Sequence, residues 1–331
     1  MHRIDIFINK ALFVVENHKI APGQYTRWIW QDEKGDRELG LNEYGCADAA
    51  NILYSLGKFP IGEERDGFIK TLKGLQNPNT GLFVEKTHHP IHTTAHCIAA
   101  LELFDEKPEY KVEALEQYNS SEKIREFLDG LNWKGNPWDA SHQGAGIYVA
   151  MNLTDMVSEE WNDTYFDWLW QEADLETGFW RQGCVGTERP VFHSLAGSFH
   201  YLFNHEDAAM PLRYPEKMVD SCLAIWEDKK ANDPVFGNNI SFAEIDWVYC
   251  LNRASRQTPH RFKEGKIALK EFADRFIPYL NDIDEKKSDM FNDLHMLFGA
   301  VCAVAELRQA LPGYIRSDKK IKLVLDRRPF I

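Results

Sequence analysis

The sequence predicts an all-α fold, a toroid of six helical hairpins with an inner and an outer ring, (α/α)6. Three observations predict it. Six segments open on polar or histidine residues and run on as small-residue-rich helical patterns. Aligned on one register, they put Asp48, His96, Gly146, Gly197, Asp246 and His295 in a column, at intervals of 48, 50, 51, 49 and 49 residues. Each is preceded by a segment with apolar helical periodicity and one charged face, while the period-two alternation of strands is nearly absent. A fixed period of this size is the mark of one supersecondary unit repeated.

Taken in order, the hairpins pair DIFINKALFVVENHK with EYGCADAANILYSLG, ERDGFIKTLKGLQN with PIHTTAHCIAALELF, and SEKIREFLDGLNW with ASHQGAGIYVAMNL. NDTYFDWLWQEAD then pairs with VFHSLAGSFHYLF, PEKMVDSCLAIWEDKK with SFAEIDWVYCLNRA, and KIALKEFADRFIPYLND with FNDLHMLFGAVCAVAEL. The first member of each pair carries charge on one face and reads as an outer helix. The second is poor in charge and rich in Ala, Gly and Cys, and reads as an inner one. An open solenoid presents solvent-facing helices on both layers and atypical caps; a nearly uncharged inner series of six units favours a closed ring. In NPNTGLF and DLETGFW, Gly81 and Gly178 supply the positive φ that stops a helix, and the aromatic after it folds back onto the core. The segment 105–121 is a polar surface excursion. The expected organisation is one toroid domain, 1–313, followed by a basic tail, 314–331, with six Lys/Arg against two Asp. The tail reads as a segment docked on an acidic body or, alternatively, as a partner-binding arm.

The net charge of −13 argues against nucleic acid and anionic membranes as partners, because neither rewards an acidic surface. No window approaches the ~20 apolar residues needed to cross a bilayer, and the N-terminal stretch lacks the pattern of a signal peptide. Six scattered cysteines with no CxxC pair read as reduced, buried thiols and point to a reducing, cytoplasmic setting. The oligomeric state is open.

The stretches QNPNTGLFVEKTHHPIHTTAHCIAAL and QEADLETGFWRQG resemble the repeats of terpene cyclases and protein prenyltransferase β subunits, which combine a Gln, a Gly-aromatic turn and a following inner helix. The resemblance implies the α/α toroid superfamily. It carries the fold and not the chemistry: the nearest approach to the cyclase Asp-x-Asp-Asp motif is DIDE at 282–285, and Cys46-x-Asp48 reverses the prenyltransferase Asp-x-Cys order.

Positions four apart share a helix face. Four residues before the Asp48 column stand Tyr44, His92, His142, His193, Phe242 and Phe291, so two stacked layers of side chains are expected around the ring axis. Asp48 and Asp246, carboxyls on nearly charge-free helices, are the expected acid/base pair, with His96 and His295 as tuning or proton-transfer groups. His92, His142, His193 and His200 are expected to bind substrate at the mouth, with Trp138 and Trp180 stacking on it from the loops. Tyr249 and Arg253, with Asn238 or Asn239, are the residue types used by uronate lyases, although Asn239 and Ser241 also suit a helix cap. No cofactor is expected. Zinc is the alternative, on His92 and His96 at i, i+4 spacing with Cys46 or Asp48.

The expected function is an enzyme acting on a small carbohydrate, an oligosaccharide or uronate sugar, by general acid/base chemistry, with hydrolysis ahead of elimination. The alternatives are an isoprenoid enzyme and a non-enzymatic binding toroid whose Asp–His groups only fix the ring.

Overall fold

The computed structural model describes all 331 residues. Helices follow the predicted pairs one for one. They are α1 (Asp5–Asn17), α2 (Glu43–Ser55), α3 (Gly62–Leu75), α4 (Pro90–Glu102), α5 (Ser121–Gly130), α6 (Pro137–Asn152) and α7 (Glu159–Glu172). The chain continues with α8 (Val191–Asp207), α9 (Pro215–Asn232), α10 (Phe242–Ser255), α11 (Phe262–Asp282), the single turn α12 (Asp289–Asn292) and α13 (Leu294–Ala310). Strand is confined to two small pairs. The first, β1 (His2–Arg3), lies parallel to the last, β4 (Ile315–Arg316), while β2 (Lys19–Ala21) runs antiparallel to β3 (Gln24–Tyr25).

The two helix series differ as their compositions require. In α4 every residue from Ile91 to Leu101 is buried, whereas in α5 only Ile124 and Leu128 are. Among the nearly uncharged helices, α2 packs on α4, α4 on α6, α6 on α8, α8 on α10, α10 on α13, and α13 on α2. Small residues permit this approach. A Cβ on Gly146 would lie 3.2 Å from the Ile91 carbonyl oxygen, and one on Gly197 would lie 2.9 Å from that of Pro137. These glycines therefore serve helix–helix contact.

Helix starts are fixed by side chains. Asn42 caps α2, His89 with Pro90 opens α4, Ser241 and Glu244 form a capping box on α10, and Asp293 caps α13. The sixth inner helix thus begins at Leu294, and Phe291 belongs to α12 ahead of it, outside its predicted column. Gly81 and Gly178 hold φ of +71° and +74°. At Gly81 a Cβ would meet the Lys111 carbonyl oxygen at 2.0 Å, so no other residue fits that turn. The C-terminal segment is packed throughout its end: Val324, Leu325, Arg328, Phe330 and Ile331 are buried, and Arg327 reaches Glu102 and Asp105. No helix is long and apolar enough to cross a membrane.

Candidate functional site

Three inner helices bring Asp48 (α2), His96 (α4) and His295 (α13) together. His96 Nε2 lies 2.9 Å from Asp48 Oδ1, and His295 Nδ1 lies 3.1 and 3.2 Å from its two oxygens. Burial alone would raise the carboxyl. The two imidazoles outweigh that and hold Asp48 well below the usual carboxylate range. An ionised carboxylate only accepts, so both rings donate to it. This puts the proton of His96 on Nε2 and leaves its Nδ1, which is buried and has no partner, as a lone pair. Burial pushes His96 down to about 4 despite the carboxylate beside it, so the ring is neutral at pH 7.

A second group stands beside the first. His92 (α4), His142 (α6) and His200 (α8) converge, with ring centroids 4.2 Å apart for His92–His142 and 4.6 Å for His142–His200. Tyr44 links the two groups. Its hydroxyl meets His92 Nδ1 at 2.5 Å, and its ring lies 4.9 Å from His96 and 4.5 Å from His295. His200 Nδ1 lies 3.1 Å from Ser141 Oγ, whose single proton goes to the Trp138 carbonyl at 2.7 Å. Burial, reinforced in each case by neighbouring imidazoles, drives His92 and His142 well below the ordinary histidine range and His200 to about 3. By geometry each triad, Asp48/His96/His295 and His92/His142/His200, can hold a metal ion. The predicted metal set does not form, because His92 and His96 belong to different groups and Cys46 turns its thiol to the Tyr25 carbonyl.

These groups are least buried on the side of His88, Trp138 and His142. His142 is 8 % exposed and Trp138 is half-buried across it, at 5.6 Å. His88, from the loop before α4, stacks on Tyr44 and donates Nδ1–H to Glu85, whose carboxylate also lies near Arg27. Arg27 in turn makes two bonds to Asp293, the α13 cap. At the inner end Phe330 packs on His92 at 4.8 Å, and Arg328 lies over Phe298, which also faces His96. Arg328 is 1 % exposed. Its Nε donates to Asn51 Oδ1 at 2.7 Å, but neither Nη group has a partner. Burial lowers this guanidinium to about 9, which leaves it charged at pH 7.

Several predicted residues lie elsewhere. His193 is exposed on the first turn of α8, and His200, two turns on, takes its place, so the fourth repeat is out of register with the column. Trp180 is buried between the layers, donating to the Leu169 carbonyl and packing on Tyr201; it is not a mouth residue. Arg253 lies over the Tyr249 ring with all three guanidinium nitrogens engaged by Glu306, Glu206 and Asp326, so it is part of a buried ion-pair network. Asn238 bonds back to the Pro234 carbonyl. Asp246 makes no hydrogen bond to Asp48, His96 or His295. Both its oxygens are buried without partners, and burial raises its carboxyl well above the usual range.

Sequence reasoning missed His88 and Arg328. His88 precedes the helix start, and Arg328 sits in a segment that read only as basic, although its apolar ending, Pro-Phe-Ile, was a signal that the end turns inward. Among known proteins, no family, curated sequence or solved structure matches this chain.

Proposed function

We propose that the six inner helices close as an (α/α)6 toroid. Its interior is the reaction chamber of an enzyme that acts on a small acidic carbohydrate, a uronate sugar, by taking a proton from the carbon beside the carboxylate. The closed order of inner-helix contacts supports the ring, and with it the kinship to the α/α toroid superfamily suggested by the turns.

The observation that carries the reaction is Arg328, a buried cation with both Nη groups free. A guanidinium in that state matches the two oxygens of a carboxylate. Pairing with it withdraws the charge that otherwise holds the adjacent C–H bond intact. His96 is the base: its unpartnered Nδ1 lone pair and Arg328 share the Phe298 ring as a neighbour. The proton passes to Nδ1, and the C–H electron pair becomes the new double bond as the C–O bond on the next carbon breaks. The leaving oxygen takes up a proton from solvent water. Asp48 acts through His96 and His295, fixing their tautomers and stabilising the imidazolium.

Hydrolysis asks for two carboxyls flanking one bond, and Asp246 shares no contact with the Asp48 group. Proton abstraction is therefore the better supported course, by elimination or by epimerisation.

Incubation with oligouronates in deuterated water tests this, following ultraviolet absorbance of an unsaturated product and deuterium at the carbon beside the carboxylate. Exchange should appear in the wild type, fall about 10²–10⁴-fold in His96→Gln, and be absent with neutral oligosaccharides. No exchange and no product with any uronate would end the reading.

A further inference from the structure

We propose that His92, His142 and His200 form a binding site for one divalent transition-metal ion of the zinc class, held by three neutral imidazoles beside Trp138. Three histidines from three helices turn their rings toward one another, each offering one nitrogen within 4.8 Å of the others. All three are buried, and no carboxylate bonds to any of them. Beyond His92 Nδ1 with Tyr44, and His200 with Ser141 and the Ala196 carbonyl, their ring nitrogens bond to no protein group. Three imidazoles at close quarters, each with a nitrogen bonded to no protein group, are the donor set a metal ion of this class takes.

The tautomers agree. Ser141 has one proton and donates it to the Trp138 carbonyl, so it must accept from His200 Nδ1–H. The lone pair of His200 is then on Nε2, the nitrogen left free for a ligand. The Tyr44 hydroxyl can likewise accept Nδ1–H from His92 and release its Nε2. A hydrogen-bonded second nitrogen is the usual support for a metal-bound histidine. The ligand set is chosen by chemistry. Three neutral nitrogens without thiolate or carboxylate suit zinc, and cobalt as its spectroscopic stand-in, and do not suit the hard, oxygen-seeking calcium or magnesium. Three protein ligands leave a fourth position open toward Trp138, where water or a substrate oxygen would sit.

The site does not depend on the uronate reading, and its test does not involve turnover. Full-length protein stripped with a chelator is titrated with Co2+ and, separately, with Zn2+. Visible ligand-field absorption and metal analysis after gel filtration are read. One ion per chain is expected, with the intense bands of a four-coordinate site. His142→Gln should weaken binding at least 100-fold. This ring has no hydrogen bond to lose, so the variant should keep its circular dichroism and melting temperature. Ser141→Ala should weaken binding about 10–100-fold by releasing the His200 tautomer. Asp48→Asn should leave the stoichiometry at one. No ion bound by the wild type, or binding unchanged in both His142→Gln and His200→Gln, would overturn the proposal. So would loss of binding in Asp48→Asn alone, which would move the ion to the Asp48/His96/His295 triad.

Discussion

Two arginines are buried in this chain to nearly the same degree, and their surroundings are opposite. Arg253, on α10, is met by Glu306, Glu206 and Asp326, and Glu306 is itself held by Asn252. Arg328, from the C-terminal segment, has one hydrogen bond, to Asn51, and lies near the imidazoles. A cation whose donors are all matched is part of the framework, since removing any partner strands a charge. A cation left unmatched adds nothing to stability and is carried by the rest of the fold. Polar groups of that second kind mark a place where a ligand completes the pairing. The same contrast separates the Arg253 network from His96 Nδ1 and the Asp246 carboxyl, buried polar groups that also lack partners.

The sharpest way to break this comparison is at Glu306. Glu306→Ala leaves Arg253 without its bidentate partner, and a loss of about 3–5 kcal/mol in urea unfolding is expected. A loss below about 1 kcal/mol would mean the network is not the framework we describe.

Acid tests the buried imidazoles directly. His96 and His205 are buried and neutral, each pushed down to about 4 mainly by burial. In the unfolded chain both bind a proton below about pH 6.5. Their contribution is therefore complete above pH 6.5 and is lost as pH falls toward 4. Each should remove roughly 2 kcal/mol between pH 7.5 and 5. Asp48, held low, loses its contribution in the same direction at lower pH. Melting temperature followed over pH 5–8 should fall steeply on the acid side. A flat profile would mean that these rings carry protons in the fold.

Arg328→Met should do the reverse of Glu306→Ala. Removing an unpaired buried charge while keeping its bulk should change stability by less than about 1.5 kcal/mol, toward gain. It should also abolish any melting-temperature shift produced by glucuronate or galacturonate in the wild type. A large destabilisation would show that the Asn51 bond, or a partner beyond it, makes Arg328 part of the framework.

How much of this was legible depends on the range of the signal. The twelve main helices could be read because each announces itself locally: His89-Pro90 opens α4, Ser241 caps α10, and apolar spacing runs through every pair. Asp48, His96 and His295 could be read as partners because they occupy matching turns of helices that pack side by side. The fourth repeat failed because helix phase is set by packing, not by the start of the helix. Gly197 is pressed against Pro137 and Trp133, and that contact rotates His200 inward and leaves His193 outside. Arg253 had the right chemistry and the wrong depth; its carboxylate partners come from α8, α13 and the C-terminal segment, a convergence no spacing reveals. Arg328 reaches Asn51 across 277 residues, and only the folded chain brings them together.

The last test is at Asp246, another buried group without partners, and it works from the alkaline side. Its carboxyl is neutral in the fold because burial raises it far above 3.8, whereas in the unfolded chain it ionises near that value. The fold therefore loses stability as pH rises from about 4, opposite to the histidines. Asp246→Asn removes this penalty without changing the shape of the side chain. It should match the wild type near pH 4 and exceed it by a growing margin as pH rises toward 8. Asparagine cannot ionise, so the gain must grow with pH. A gain that did not vary with pH would come from packing. A loss at pH 8 would mean that the carboxylate is ionised and paired, and Asp246 would then move from the unmatched region into the framework.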